Sequence, residues 1–144
     1  MTQHIIICPA CKAKNKVPVE RVAQLPKCGK CQTLLLPEQP LELNDAHLSR
    51  LIANETLPLV VDFWAPWCGP CQSMAPVFSA VAAEMCGKMR LAKLDTEAQQ
   101  AAASRFAIRS IPTLIAFYQG KEIARQSGAL SAGQLKQWLQ SLPV

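Results

Sequence analysis

The chain has 144 residues, which is the size of one ordinary domain with room for a small additional module. Half of the residues are hydrophobic, which excludes a largely disordered chain, and the formal net charge is +5. Seven cysteines are many for this length, and six of them form three Cys-x-x-Cys pairs.

The sequence also indicates the compartment. The first residues have neither the basic segment nor the apolar run of a secretory leader. No stretch approaches the roughly 20 apolar residues of a membrane span. We therefore expect a cytoplasmic protein without membrane association, whose reduced cysteines serve metal or redox chemistry rather than structural disulfides.

The first four cysteines predict a metal site. Cys8-x-x-Cys11 and Cys28-x-x-Cys31 are separated by 16 residues, a spacing typical of four-cysteine zinc sites. A segment this short buries too little surface to fold alone, and metal binding supplies the missing free energy. We predict one structural Zn²⁺ held by all four thiolates in a small zinc-ribbon-like module. Two disulfides or four unrelated thiols are the alternatives.

The same segment is basic. Residues 1–40 carry six basic and two acidic side chains, a formal net charge of +4, which four thiolates and one Zn²⁺ would lower to +2. The first Phe, Tyr or Trp of the chain is Phe63. Because nothing before it can stack on bases, we predict no nucleic-acid partner. We expect His4 in solvent rather than among the metal ligands.

Two prolines in the stretch 34–40 indicate a linker, so we divide the chain into a zinc module with its linker, 1–40, and a second domain, 41–144. In that domain, capping signals, periodicity and turn residues predict alternating elements. These are a helix capped at Asn44-Asp45, a strand at 57–64, a helix from Gly69 to about Met85 that Pro76 kinks or interrupts, a strand at 90–95, a helix at 97–106, a hairpin of strands 113–118 and 122–126, and a last helix opened by the capping box Ser131-x-x-Gln134. This order predicts an α/β fold with a mixed sheet between helices.

The third pair, Cys68-Gly-Pro-Cys71, follows the apolar strand and begins a helix. Unpaired N–H groups and the positive end of the helix dipole favour a thiolate there, so we predict Cys68 as an exposed nucleophile. Cys71 lies one turn further and is close enough to form a disulfide with it. Pro70 in the first turn costs no hydrogen bond. Asp62 is an acid in an apolar strand, where a buried carboxylate needs a partner or a function; a surface-facing strand position is the alternative.

Several stretches of the second domain resemble the thioredoxin family, and they occur in the family's order. They are 60–71, 92–95, 108–113 and 128–131. With the four-cysteine extension, the entire chain resembles the zinc-containing second thioredoxins of bacteria. The resemblance implies a thioredoxin fold and a protein-disulfide reductase whose redox-active disulfide is Cys68–Cys71.

The resemblance also implies roles for particular residues. Asp62 would accept the proton of the resolving Cys71, with Lys93 beside it. The peptide bond before Pro112 would be cis. The substrate surface would comprise Trp67, Gly69, Pro70, Ile111, Pro112 and Gly128, with Trp64 packed under the active-site turn. The chain departs from many relatives at Gln72, where a basic residue is common.

The resemblance further implies NADPH-dependent thioredoxin reductase as electron donor, disulfide-containing proteins as substrates, and a monomer. We predict no bound organic cofactor, since the chain has no nucleotide-binding motif. The alternatives are an oxidase or isomerase of the same fold, a binding or sensing module that releases zinc on oxidation, and a holdase chaperone. Cys86 has no partner in sequence and is predicted to be a half-buried small hydrophobe, with a regulatory thiol as the alternative. His47 is expected in solvent.

Overall fold

A computed structural model describes residues 2–144. Seven strands, four α-helices and one 3₁₀ turn (Val19–Arg21) are found in that range. In chain order they are β1 (Gln3–Ile7), β2 (Lys14–Pro18), β3 (Leu41–Glu42), α1 (Asp45–Asn54), β4 (Leu59–Trp64), α2 (Gly69–Glu84), β5 (Arg90–Asp95), α3 (Gln100–Arg105), β6 (Thr113–Tyr118), β7 (Lys121–Ser127) and α4 (Ala132–Gln140).

The main sheet has five strands in the order β3-β5-β4-β6-β7, and β1 and β2 form a separate antiparallel hairpin. Strands β3, β5 and β4 are parallel, whereas β6 and β7 continue the sheet in antiparallel fashion. Helices α1 and α3 pack on one face, and α2 and α4 pack on the other. Strand β4 is central and covered on both faces, which explains its continuous apolar run. The predicted mixed sheet flanked by helices is confirmed.

The predicted bounds of the elements agree with the structure to within two residues, with one exception. The helix predicted at 97–106 is shorter and begins at Gln100. Its first residues form a turn instead, because the Asp95 carboxylate accepts the N–H groups of Glu97 and Ala98. Helix α2 continues through Pro76 as one helix rather than being interrupted there. The three short strands β1, β2 and β3 were not predicted from the sequence.

The N-terminal module packs against the edge of the sheet where β4 and β5 begin. Its buried residues Ile6 and Leu35 share a core with Leu57, two residues before β4. The Thr56 N–H donates to the Ile5 carbonyl at 3.1 Å. The Cys68–Cys71 pair follows the other end of β4, whose six residues span roughly 17 Å. The four-cysteine cluster and the dithiol therefore lie at opposite edges of the sheet.

A buried ion pair joins the two parts of the chain. Arg90 Nη2 lies 2.8 Å from Glu55 Oε1, and the exposed fractions of the two side chains are 4% and 0%. Arg90 also donates to the carbonyl oxygens of Ile7, at 2.8 Å, and Leu35, at 2.5 Å. Glu55 accepts the Ile7 N–H at 3.1 Å. Each charge thus has the hydrogen bonds that burial requires. Neither residue was predicted from the sequence to have a role.

Within residues 2–144, none of the helices combines the length and the apolar character that crossing a lipid bilayer requires.

Candidate functional site

The dithiol sits at the N-terminus of α2. Cys68 is the residue that caps this helix, and its Sγ accepts the Cys71 N–H at 3.2 Å. Pro70 occupies the first turn. The two sulfurs are joined as a disulfide, with 5.2 Å between the Cα atoms. The helix start therefore holds the two sulfurs together where its N–H groups favour negative charge on Cys68.

Cys68 is less exposed than the sequence predicts, with only 5% of its surface accessible. Trp64 and Ile111 pack against the disulfide and cover it. The Cys68 Sγ lies 3.8 Å from the Ile111 carbonyl oxygen. The Ile111–Pro112 peptide bond is cis. The Gly128 N–H donates to the Pro112 carbonyl at 2.9 Å, so the loops before β6 and after β7 meet beside the disulfide.

The surface next to the disulfide is open and apolar. Trp67 is 70% exposed, the largest value among the large hydrophobic side chains of the described residues. A Cβ at Gly69 would meet no atom within 4 Å. Gln72 folds back, and its side chain donates to the Pro66 carbonyl at 2.7 Å. An exposed aromatic ring beside open backbone is suited to hold an extended protein segment.

Asp62 lies in the central strand and is 1% exposed. Neither carboxylate oxygen has a hydrogen-bond partner within residues 2–144. Asp62 shares the face of β4 with Val60, which belongs to the same buried cluster as Phe78 of α2. The alternative of a surface-facing strand position is therefore excluded. Asp62 could be identified from the sequence because an acid in an apolar strand is a clear signal.

Burial raises the pKa of Asp62 to about 7, against the opposing effect of the Lys93 charge. Lys93 is the register partner of Asp62 on β5. Its Nζ lies 4.5 Å from the centre of the Trp64 ring. Asp62 is thus poised to take up or release a proton at neutral pH.

The four cysteines of the N-terminal module converge. Their sulfurs lie within 4.8 Å of one another. Cys8 and Cys31 are 3.5 Å apart and Cys11 and Cys28 are 3.6 Å apart, measured between sulfurs. A tetrahedral Zn²⁺ with Zn–S bonds of about 2.3 Å requires sulfurs about 3.8 Å apart. The donor type and the spacing therefore fit zinc, and none of the four forms a disulfide.

Two turns of the same geometry present these sulfurs. The Lys12 N–H donates to the Cys8 carbonyl at 3.1 Å, and the Gln32 N–H donates to the Cys28 carbonyl at 2.9 Å. Lys12 and Gln32 both adopt the left-handed region, with φ of 64° and 68°. The Lys30 N–H also lies 3.4 Å from the Cys28 sulfur. We call these turns the first knuckle (8–13) and the second knuckle (28–33).

The two histidines differ from their predicted positions. His4 was expected in solvent but is half-buried, and its Nδ1 lies 2.9 Å from Thr56 Oγ1. His47 was expected in solvent but is 5% exposed, and the Nε2 atom has no partner within residues 2–144. The reason is that the N-terminal module covers this side of α1, where Arg50 donates to the Lys12 carbonyl. The periodicity of α1 does not indicate that another part of the chain buries this side of the helix.

Burial lowers the pKa of His47 to about 4, helped by the charges of Lys12 and Arg90. Cys86 is half-buried, as predicted, and its thiol donates to the Leu36 carbonyl at 3.3 Å. Burial raises the pKa of the Cys86 thiol, which keeps it in the less reactive protonated form.

Residues 39–141 match the family model described as Thioredoxin, and residues 7–33 match the model described as Thioredoxin 2, N-terminal. The chain belongs to the thioredoxin family. It is a thiol-disulfide oxidoreductase with the thioredoxin fold, and its N-terminal four-cysteine cluster is consistent with a zinc-ribbon module.

Comparison with individual thioredoxins supports this assignment. The chain is 48% identical to Thioredoxin C-3 of Corynebacterium nephridii over 135 residues, which cover 94% of this chain and 92% of that one, so the match includes most of the N-terminal module. It is 41% identical to the thioredoxin of Haemophilus influenzae over 99 residues, or 69% and 92% of the two chains. The structure of a mutant thioredoxin from Halobacterium salinarum superposes with a TM-score of 0.67 at 31% identity and covers 74% of this chain and 92% of that one.

Proposed function

We propose that the protein is a protein-disulfide reductase whose redox-active disulfide is Cys68–Cys71. The observation that carries the proposal is the position of Cys68 as the N-terminal capping residue of α2, where its sulfur accepts the Cys71 N–H at 3.2 Å. The exposed Trp67 and the cis Ile111–Pro112 bond beside it supply a surface for substrate. Gly69, Pro70 and Gly128 complete that surface.

In the first step, the Cys68 thiolate attacks one sulfur of a substrate disulfide. The other substrate sulfur leaves as a thiolate, and a mixed disulfide joins Cys68 to the substrate. The N–H groups at the start of α2 stabilise the attacking thiolate. The covering side chains Trp64 and Ile111 leave Cys68 only 5% exposed, so substrate must approach along the open side near Trp67.

In the second step, Cys71 loses its proton and attacks the sulfur of Cys68. The Cys68–Cys71 disulfide forms and the second substrate thiolate leaves, so two electrons have passed to the substrate. Asp62 accepts the Cys71 proton, since its pKa of about 7 allows it to be ionised before the step and protonated after it. Lys93, its register neighbour, favours the ionised form.

The zinc module is a structural part of the same protein. We propose that Cys8, Cys11, Cys28 and Cys31 hold one Zn²⁺, which stabilises the fold of residues 1–40 when bound. The closed set of four thiolates leaves no position for a reacting ligand. We place the boundary to the catalytic domain, 41–144, after the linker. No organic cofactor is needed by the two steps.

The oxidised enzyme must be reduced again after each cycle. We propose NADPH-dependent thioredoxin reductase as the electron donor, disulfide-bonded proteins as substrates, and a monomer working in the reducing cytoplasm. A dithiol reductant is maintained in its active form only in such a compartment.

Reduction of insulin disulfides tests the proposal. With dithiothreitol or thioredoxin reductase and NADPH as donor, the wild-type protein should accelerate reduction, and Cys68→Ser should not. Cys86→Ser is the matched control and should retain the wild-type rate. Equal rates for wild type and Cys68→Ser would contradict the mechanism. An oxidase would instead accelerate the oxidation of reduced ribonuclease, and an isomerase would accelerate the recovery of scrambled ribonuclease in a glutathione buffer.

A further inference from the structure

The N-terminal module carries a basic cleft that neither the disulfide chemistry nor the four-cysteine cluster uses. Its volume is about 290 Å³, and its lining residues all fall between positions 16 and 27. Three of them are basic, namely Lys16, Arg21 and Lys27, and the others are neutral. We call this feature the basic cleft. Three cations around one cavity without an acid in its lining create a site for anionic groups.

Within residues 2–144, the three cations of the basic cleft have no ion-pair partner. All three are exposed, and the ion pairs found within residues 2–144 involve other side chains. Lys12 differs, because its Nζ donates to the Pro9 carbonyl at 2.7 Å within the first knuckle. The charges of the basic cleft are therefore available to a partner, whereas that of Lys12 is held beside the cysteines.

Apolar side chains accompany the cleft. Val19 and Leu25, in the same stretch of chain, are 46% and 64% exposed, and they are two of the four exposed large hydrophobic residues in the range 2–144. Leu25 also adopts φ of 53°, a left-handed conformation that is disfavoured for a bulky side chain. Such strain is typical of functional segments rather than of stabilising ones.

We propose that the basic cleft docks an acidic segment of a partner protein, with carboxylates at Lys16, Arg21 and Lys27 and an apolar side chain against Leu25. Charge complementarity and the adjoining apolar side chains favour a peptide over a nucleic acid. The module contains no Phe, Tyr or Trp on which bases could stack.

The module packs at the edge of the sheet opposite the disulfide, so an occupied cleft leaves the disulfide accessible. A partner held there would remain tethered near the enzyme, which raises its effective concentration at the disulfide if its chain is long enough to reach. The cleft thereby selects among proteins by their acidic segments and leaves the reduction of small disulfides unaffected.

Fluorescence anisotropy with the full-length, zinc-loaded protein tests the docking. The probe is a labelled twelve-residue peptide of Asp and Glu with two leucines. We expect it to bind, more weakly as salt is added, and at least tenfold tighter than the same peptide with Asn and Gln in place of the acids. Absence of binding, or equal affinity for the two peptides, overturns the proposal. Tighter binding of a single-stranded oligonucleotide than of the acidic peptide also overturns it.

Two double variants with the same change in net charge localise the effect. Lys16→Glu/Lys27→Glu should weaken peptide binding at least tenfold, whereas Lys88→Glu/Lys121→Glu, at two exposed lysines elsewhere, should change it less than twofold. Equal losses in both would show a response to net charge alone and overturn the proposal. If the charge reversal reduces the zinc content, Lys16→Gln/Lys27→Gln decides instead. Every variant should reduce a small disulfide at the wild-type rate. This control shows that a loss of peptide binding is separate from the chemistry of Cys68 and Cys71.

Discussion

Arg90 and Glu55 form a buried ion pair, 2.8 Å between Nη2 and Oε1, at the contact between the zinc module and the catalytic domain. Arg90 begins β5 and reaches the carbonyls of Ile7 and Leu35, which lie on the two sides of the four-cysteine cluster in the chain. The pair thus connects the catalytic domain to both halves of the module. Such a pair costs free energy to desolvate but specifies one docking geometry.

Removing one partner of this pair should be strongly destabilising. In Arg90→Met, the Glu55 carboxylate stays buried without its cation, and two carbonyls lose their donor. We expect a loss of about 3–5 kcal/mol in the free energy of unfolding, measured by urea denaturation of the zinc-loaded protein. Arg125→Met is the matched control, since its ion pair with Glu122 is partly exposed and should contribute less than about 1 kcal/mol. Similar losses in both variants would contradict the assigned role.

Asp62 should make the protein less stable as the pH rises. Its pKa is about 7 in the folded state, against 3.8 ordinarily, so between these values the folded state holds a proton that the unfolded state releases. Asp62→Asn removes this effect. Relative to wild type, the variant should therefore gain about 4 kcal/mol of stability between pH 4 and pH 8. If the free energies of unfolding of the two proteins, measured by urea denaturation, change in parallel with pH across this range, the raised pKa is refuted.

The same substitution should slow the second chemical step and spare the first. Asn cannot accept the Cys71 proton, so the mixed disulfide on Cys68 should persist. We expect its decay near pH 7 to slow on the order of 100-fold, the scale of general base catalysis. Rapid quenching and mass spectrometry of the enzyme–substrate adduct measure this, and the rate of formation of the adduct serves as the internal control. Unchanged decay would exclude Asp62 as the proton acceptor.

His47 should make the protein less stable as the pH falls. Its folded-state pKa of about 4 lies below the ordinary 6.5, so the unfolded state binds a proton more readily. Stability from this group is present above about pH 6.5 and is lost as the pH falls toward 4. His47→Leu should remove this loss, so its stability relative to wild type should rise on acidification. The comparison at pH 7.5, where His47 is neutral, provides the reference. A constant difference between the two proteins from pH 7.5 to pH 4.5 would rule the effect out.

The residues that could be predicted from the sequence are those with a local signal. The three Cys-x-x-Cys pairs have diagnostic spacings, and Asp62 stands out as an acid in an apolar strand. Arg90 and Glu55 have no such signal, because the pair depends on how two parts of the chain dock and its contact to Ile7 spans 83 positions. The prediction for His47 was wrong for the same reason, since the module that buries it is remote in sequence. The low exposure of Cys68 could not be predicted either, because Ile111, which covers it, comes from a loop that is distant in sequence.

Zinc removal should affect the N-terminal module and the disulfide site differently. Without the metal, nothing joins the two knuckles through their sulfurs, and we expect residues 2–36 to lose protection from hydrogen exchange and proteolysis. Arg90 would then lose its acceptors at Ile7 and Leu35, so the catalytic domain should also become less stable. The disulfide follows the far end of β4 and packs against Trp64 and Ile111, which lie outside the module. We therefore expect the rate with a small disulfide to stay within about threefold of the holoenzyme below the unfolding temperature. Chelation with zinc readdition as the control, and Cys31→Ser as a metal-deficient variant, provide the measurement. A tenfold loss of that rate, restored by zinc, would show that the cluster controls the dithiol across the sheet, as a sensing module would.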